Sequence, residues 1–274
     1  MAKAKGNTLP ASVSEDTFPA LKESSINNLT YGERLNFSDI PRIKVPTGGL
    51  NKWVLEAFDG PQTINSLEGV IISQALIRAL YAKPFEETGC VDSPACFSHN
   101  SISGHFDRKI QLPDSLRIFG EPTENCSMCP FSQYGTRSRG GGQACQQRRV
   151  LLLITKESSM PVLVSIPPSG LHSAKRFMIG LQSLGLEFWQ VVTELTLVEA
   201  RNKDGIRYSK PVFNLSERLP QSMFPSIQKY KSEVDCYISL SYANMDTPAT
   251  SLEATKYPAL TPVISNTTYQ EIRA

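Results

Sequence analysis

Four cysteines in the middle of the chain have the residue type and spacing that suit a bound metal ion. Cys126 and Cys129 form a C-x2-C pair, and Cys96 and Cys145 extend it to the pattern C-x29-C-x2-C-x15-C. Two residues between thiolates allow a tight knuckle in which both sulfurs face one ion, and tetrahedral zinc takes four such ligands. We therefore expect one structural Zn²⁺ held by these four thiolates.

The segment that follows the C-x2-C pair and contains Cys145 is also strongly basic. Between Pro130 and Val150 the sequence has four arginines, two aromatic residues and no acidic residue. Arginines neutralise phosphates, and aromatic rings stack on the bases of single strands. The candidate nucleic-acid-binding residues are Arg137, Arg139, Arg148, Arg149, Phe131 and Tyr134, together with Lys175 and Arg176 on a later predicted helix. Aromatic rings in such a position more often form a small core around zinc than a stacking surface, and the helix pair more often belongs to a solvated face.

Two histidines near the first cysteine leave alternatives open. Cys90, His99 or His105 could replace Cys96 as the fourth ligand. The group His99, Asn100, His105 and Asp107 also has a superficial likeness to the His/Asn sites of metal-dependent nucleases. Such nucleases place their histidines on a tight hairpin and a following helix, and no helix pattern follows His105. Phosphate-binding and hydrolase motifs are missing from the sequence as well, so we expect a protein that is not an enzyme.

Composition bounds the class of protein. The chain has 274 residues and a net charge of +2, which is too small to argue for nucleic-acid binding unless the charges cluster. No apolar run reaches the roughly 18 to 20 residues that span a bilayer, and the first residues lack the apolar core of a signal peptide. We therefore expect a cytoplasmic protein, in which cysteines serve as metal ligands and Cys90 and Cys236 are spare thiols.

The elements that must position the cysteines begin with extended segments. Residues 1–37 are rich in Ser, Asn, Thr and Pro, which predicts a flexible lead-in. Residues 40–45 and 52–58 read as a pair of strands, and residues 69–81 as one long, bent strand. The loop that follows contains the first cysteines and is long enough that we expect it to be functional.

After the cysteines the pattern becomes regular. Residues 150–155 and 161–166 predict two buried strands, followed by a helix with Ser169 or Ser173 as its cap and Gly185 at its end. Residues 190–200 and 206–215 predict a hairpin around the turn at Gly205. Residues 236–242 read as a weak strand, and residues 245–274 as a disordered tail. Three strands, a helix and a two-strand hairpin are the element order of an OB-fold barrel.

Several motifs occur together in an order that is similar to a known family. They are Ile43-x3-Thr47-Gly48-Gly49, Glu68-Gly69-Val70-Ile71-Ile72, Cys96-x-Ser98-x5-Gly104, Cys126-x2-Cys129-Pro130-x4-Gly135, Gly142-x2-Cys145-x2-Arg148-Arg149, Leu163-x2-Ile166-Pro167-Pro168-Ser169 and Val192-Thr193-x-Leu195-x-Leu197. Across about residues 38–215 the chain resembles bacteriophage-encoded, zinc-containing single-stranded-DNA-binding-like proteins with an OB-type core. One departure is Asn100-Ser101, where such proteins often have Asp-Gly.

The resemblance implies a mainly β fold for residues 38–244: an OB-like β-barrel with a zinc-binding subdomain at about residues 90–149, inserted between early strands. It implies a non-catalytic protein that binds single-stranded DNA in phage replication or recombination, in the cytoplasm of the bacterial host. From another class, the alternative is an adaptor whose zinc module and C-terminal tail dock a replication or host protein. The two hypotheses differ in the expected salt dependence of nucleic-acid binding.

Overall fold

The structure is a computed structural model that describes residues 17–22, 40–46, 48–57, 60–83, 93–137, 141–202 and 205–245. The expected lead-in and tail therefore lie almost entirely outside the described residues, as do Cys90 and Arg139. Within the described ranges, no helix combines the length and the apolar composition that a bilayer crossing needs.

The described residues form ten strands and four α-helices. The strands are β1 Arg42–Lys44, β2 Trp53–Ala57, β3 Gly60–Ile64, β4 Ser66–Leu80, β5 Cys96–Ser98, β6 His105–Phe106, β7 Gln146–Thr155, β8 Val162–Ile166, β9 Val191–Arg201 and β10 Arg207–Arg218. The helices are α1 Pro19–Lys22, α2 Asp114–Arg117, α3 Leu171–Ser183 and α4 Phe224–Met245. The mainly β class is thus confirmed.

The ten strands belong to one mixed sheet that is not closed. Its order is β10-β9-β4-β7-β8-β1-β2-β3, with β5 pairing an end of β4 and β6 pairing β5. All pairs are antiparallel except β1 with β8, which is parallel. The sequence predicts a closed OB-like barrel, and the hydrogen bonding of this sheet does not close it. Closure would need β10 to pair with β8, but β1 pairs with β8 instead, so β10 remains an edge strand.

β4 is the long, bent strand that the sequence predicts, and it organises two apolar cores. Its register with β7 shifts between Ile71 and Ser73, and such a bulge bends a strand. Because side chains alternate along a strand, Ile71 packs in the core beneath α3, whereas Val70 and Ile72 pack in the core beneath α1 and α4. Apolar burial on both faces makes β4 a central strand.

Contacts between opposite ends of the sheet curl it around the core that contains Ile71. The indole Nε1–H of Trp53 in β2 donates to the carbonyl of Leu195 in β9 at 3.0 Å, and Trp53 is fully buried. Ser209 Oγ in β10 donates to the carbonyl of Leu50 at 2.7 Å. The β1–β2 hairpin therefore lies against β9 and β10 although it is far from them in the sheet order.

Two local predictions are wrong. Residues 236–242 are helical and belong to α4, whose buried residues Ile227, Tyr230 and Val234 recur at a helical spacing. The local strand propensity of that run is overridden because the helix that starts at Phe224 continues through it. α3 has Gly170 at its N-cap without a side-chain cap, so neither predicted serine caps it, whereas Gly185 does adopt the left-handed conformation at φ +70°.

Candidate metal centre

The four cysteines lie in the segment that joins β4 to β7, and the sheet positions two of them directly. Cys96 begins β5 opposite Leu80 at the end of β4. Cys145 immediately precedes β7, whose first residue Gln146 pairs with Ala79 of β4. The end of β4 thus lies between Cys96 and Cys145, so these two cysteines, which are 49 positions apart in the sequence, are brought to one end of the sheet.

The C-x2-C knuckle is hydrogen-bonded to both of its neighbours. Cys126 N–H donates to the carbonyl of Ile102 at 2.8 Å, which holds the knuckle against the segment that follows β5. After Cys129 the chain forms a short 3-10 turn, Pro130–Ser132, and Cys145 N–H donates to the carbonyl of Phe131 at 2.9 Å. Backbone bonds therefore join all three cysteine-bearing segments to one another.

The four thiols converge on one small cavity. Cys96, Cys126, Cys129 and Cys145 are all unbridged, between 5 and 6% exposed, and line a cavity of about 10 Å³ that is partly open to solvent. A methyl group at Gly104 would lie 3.2 Å from Cys96 Sγ and 3.5 Å from Cys126 Sγ. Both sulfurs therefore approach one point, which only a residue without a Cβ leaves open.

The electrostatics of the thiols show the same convergence. Burial, with the charges of Cys129 and Cys126, raises the pKa of Cys96 to about 11. Burial raises the pKa of Cys145 to about 12, against the opposing effect of the Arg78 guanidinium. Four thiolates cannot share this space without a cation, because each disfavours the charge of the others.

The side chains that reach the cavity decide which residues are candidate ligands. Among the described residues, no group of three or more His, Cys, Asp or Glu side chains is arranged so that it could hold a metal ion. The two histidines that could replace Cys96 do not line the cavity. His99 packs edge-on against Phe97, with the ring centroids 4.7 Å apart, and His105 is exposed on β6. The cavity thus favours the four cysteines over either histidine as ligands.

The Asn100-Ser101 turn forms the hydrogen bonds that an Asp-Gly turn would form. Asn100 Oδ1 accepts from the backbone N–H groups of Ile102 and Ser103 at 2.8 and 2.9 Å. Ser101 adopts φ +58°, a conformation that glycine takes without strain. This turn leads into the Ser103–Asn125 bridge, which supports the knuckle.

The predicted nucleic-acid-binding residues are separated by the structure. Tyr134 is 81% exposed and Arg137 is also exposed, and both precede the glycine-rich run in the sequence. Phe131 is fully buried with the cysteines, so its ring is not accessible to a base and its expected stacking role is wrong. Arg148 is exposed, and Arg149 is partly buried on the opposite face of β7. The two arginines therefore do not form one cluster on a single face of the sheet.

Lys175 and Arg176 are exposed on α3, as the solvated face of that helix requires. α3 packs on β10 through Phe177, which stacks on Phe213 with the ring centroids 5.7 Å apart. No hydrogen bond or ion pair in the described ranges joins this pair of cations to the cysteine segment.

Arg78 is the site residue that the sequence reading missed. Its Nη1–H group donates to the carbonyl of Cys145 at 3.4 Å, and its side chain lines the cysteine cavity. The available signal was an arginine at an alternate position of a long apolar strand, between Leu76 and Leu80. A charge at an inward position of a strand indicates a local partner.

Comparisons of this chain with protein-family models, with curated proteins and with solved structures find no match.

Proposed function

We propose that the protein binds single-stranded DNA without catalysis, and that one Zn²⁺ holds its binding loop in place. The observation that carries this proposal is the convergence of four buried thiols on one cavity at the base of an exposed loop bearing Tyr134 and Arg137. Zinc would be held by Cys96, Cys126, Cys129 and Cys145, and it would supply structural binding energy only.

The donor set fits zinc. Four thiolates are the commonest ligands of a closed structural zinc site, and the missing Cβ at Gly104 leaves room beside two of the sulfurs. A zinc ion with four thiolates has a net charge of −2, and the neighbouring Arg78 offsets part of it. The thiol protons that burial favours are displaced when the metal binds.

The strand pairing supports an OB-type core. β4 pairs with β7 and β9, β7 pairs with β8, and β9 pairs with β10, with α3 between β8 and β9. These pairings are those of a five-stranded OB barrel in which the final contact is replaced by β1 beside β8. In an OB-type core of this kind the cysteine segment would occupy the connection between the first and second barrel strands, where OB-type proteins often bind oligonucleotides.

The loop between the third and fourth cysteines is pre-ordered at its base. The N–H groups of Gly135 and Arg137 both donate to the carbonyl of Gly142, at 2.9 and 3.1 Å. A methyl group at Gly141 would lie 3.2 Å from the Tyr134 hydroxyl, so the ring covers the glycine-rich return. An exposed ring and an exposed arginine on a hydrogen-bonded loop base suit a base and its phosphate, because part of the ordering cost is already met.

The test is fluorescence anisotropy of the full chain with single- and double-stranded DNA of equal length, over a range of salt concentrations. We expect tighter binding to the single strand and an affinity that falls as salt is added. Tyr134→Ala should weaken binding by about 1 to 3 kcal/mol, the usual value of one stacked base. Arg117→Gln is a matched control because Arg117 lies in the same segment but pairs with Asp114 at 3.6 Å.

Exposed apolar side chains favour a second candidate, a protein-interaction adaptor. Ile102, Ile118 and Met128 are 70, 77 and 74% exposed, and all three lie on the cysteine segment. Side chains of this kind are typical of protein contacts. If the chain binds no oligonucleotide at any salt concentration while Ile102→Ser abolishes capture of a protein partner, the adaptor is the better assignment.

A further inference from the structure

Four polar side chains and Leu76 form a strip on one face of the sheet, between the apolar core beneath α3 and the cysteine cavity; the polar ones are Gln74, Arg78, Gln147 and Arg149. In the register of β4 and β7, Arg78 is opposite Gln147, and Leu76 is opposite Arg149. Residues directly opposite each other in an antiparallel pair point to the same face, so these four side chains share one face, together with Gln74. All five are partly exposed, and solvent therefore reaches the strip.

The two arginines of the strip lack an acidic partner. Neither forms an ion pair with a carboxylate in the part of the chain that the structure describes. Arg149 donates through Nη1 to Gln74 Oε1, a neutral acceptor. The Nε atoms of Arg78 and Arg149 are both buried and have no hydrogen-bond partner. A partly buried guanidinium normally has an anionic partner, since an unsatisfied buried donor is costly.

Arg78 and Arg149 differ in what already faces them. Arg78 lines the cysteine cavity, so four thiolates around zinc would offset its charge. Arg149 lies two residues further along β7 than Gln147, the residue opposite Arg78. It pairs with Ile166 of β8 and with Leu76 of β4, and neither paired neighbour has a thiol. Of these two arginines, Arg149 is therefore the one whose charge the described residues leave without a counter-ion.

We propose that Arg149, with the amides of Gln74 and Gln147 and the flanking Arg78, binds one phosphate group. A guanidinium presents a planar fork of N–H donors that matches two oxygens of a phosphate, and side-chain amides supply further donors. The phosphate is a phosphodiester of the bound single strand or a free orthophosphate. The phosphodiester rests on the proposed function; the orthophosphate does not.

The experiment compares Arg149→Gln with Arg148→Gln in the full chain. The two variants remove the same charge from adjacent residues on opposite faces of β7, and zinc content and circular dichroism verify their folding. Binding of a 15-nucleotide oligothymidylate is measured against salt, and orthophosphate is titrated separately by thermal shift. Gln74→Leu is the second variant, because it removes the partner of Arg149 without changing the charge.

We expect Arg149→Gln to lower oligonucleotide affinity about tenfold or more and to reduce the salt slope by about 0.7. Arg148→Gln should have a clearly smaller effect, and Gln74→Leu an intermediate one. If the wild type binds the oligonucleotide but the Arg149 and Arg148 variants weaken it equally, the phosphate site is wrong and the proposed function stands. If orthophosphate raises the melting temperature of the wild type but not of Arg149→Gln, while no oligonucleotide binds, the site stands and the proposed function fails. If neither ligand binds the wild type, both are overturned.

Discussion

Replacing Gly104 by alanine tests whether the thiols face one ion, because it changes the cavity without removing a ligand. The added methyl would lie 3.2 Å from Cys96 Sγ, 3.5 Å from Cys126 Sγ and 3.6 Å from the carbonyl of Thr123. Gly104 does not have a positive φ, so alanine adds no backbone strain and the methyl contacts decide the outcome. Gly104 N–H also donates to the carbonyl of Glu124, which prevents the segment from moving away.

Overpacking of this kind costs about 1 to 3 kcal/mol, or about 5- to 150-fold in zinc affinity. The assay removes zinc with a chelator and measures reloading by competition with a metallochromic indicator. Gly180→Ala is the matched control, since a Cβ there meets no atom within 4 Å and the position is helical. A Gly104→Ala protein that is folded and binds zinc as tightly as the wild type would refute the shared cavity.

Three further predictions concern the same site and the curl of the sheet. Cys126→Ser should abolish zinc binding, measured by elemental analysis, and Cys90→Ser should leave one zinc per chain; zinc-free wild-type protein would end the four-thiolate proposal. Gly49→Ala should lower the free energy of unfolding in urea by about 1 to 3 kcal/mol, because φ is +81° and the methyl would lie 3.1 and 3.2 Å from side chains of the β9–β10 hairpin. The zinc-free protein should lose stability as pH rises above about 9. Folding raises the thiol pKa of Cys96 from 9.0 to about 11 and that of Cys145 from 9.0 to about 12. The stabilisation that is complete below pH 9 is therefore lost as pH rises towards these two folded-state pKa values. Urea titrations at pH 7.5 and pH 10 measure this loss, and equal stability at both would contradict it.

The elements that periodicity predicts best are those whose side chains meet the core regularly. β4, β7, β8, α3 and the β9–β10 hairpin are all present near their predicted bounds, because apolar alternation and the left-handed Gly185 and Gly205 are local signals. The sequence pattern does not predict the edge strand β3 or the short pair β5 and β6. These segments are short, and β3 has the mixed composition of an exposed edge.

α4 shows the opposite failure. The run from Cys236 has the local composition of a strand when the residues before it are left out. Its conformation depends on a helix that begins twelve residues earlier and buries Ile227, Tyr230 and Val234 against the sheet. Local propensity is weak beside such packing, so a short window does not reveal it.

The sequence by itself determined the chemistry available to this protein: four thiols at a spacing that suits zinc, a glycine-rich basic segment, and a mainly β fold. Side-chain type and local spacing are enough for those inferences, since they depend on residues close together in the chain. The tertiary structure alone decided which residues share a face. It buried Phe131, exposed Tyr134, and placed Arg149 beside Arg78 but opposite to its neighbour Arg148. The physical reason is register: pairing between β4 and β7 joins residues about 70 positions apart, and a shift of one residue would move every side chain to the other face.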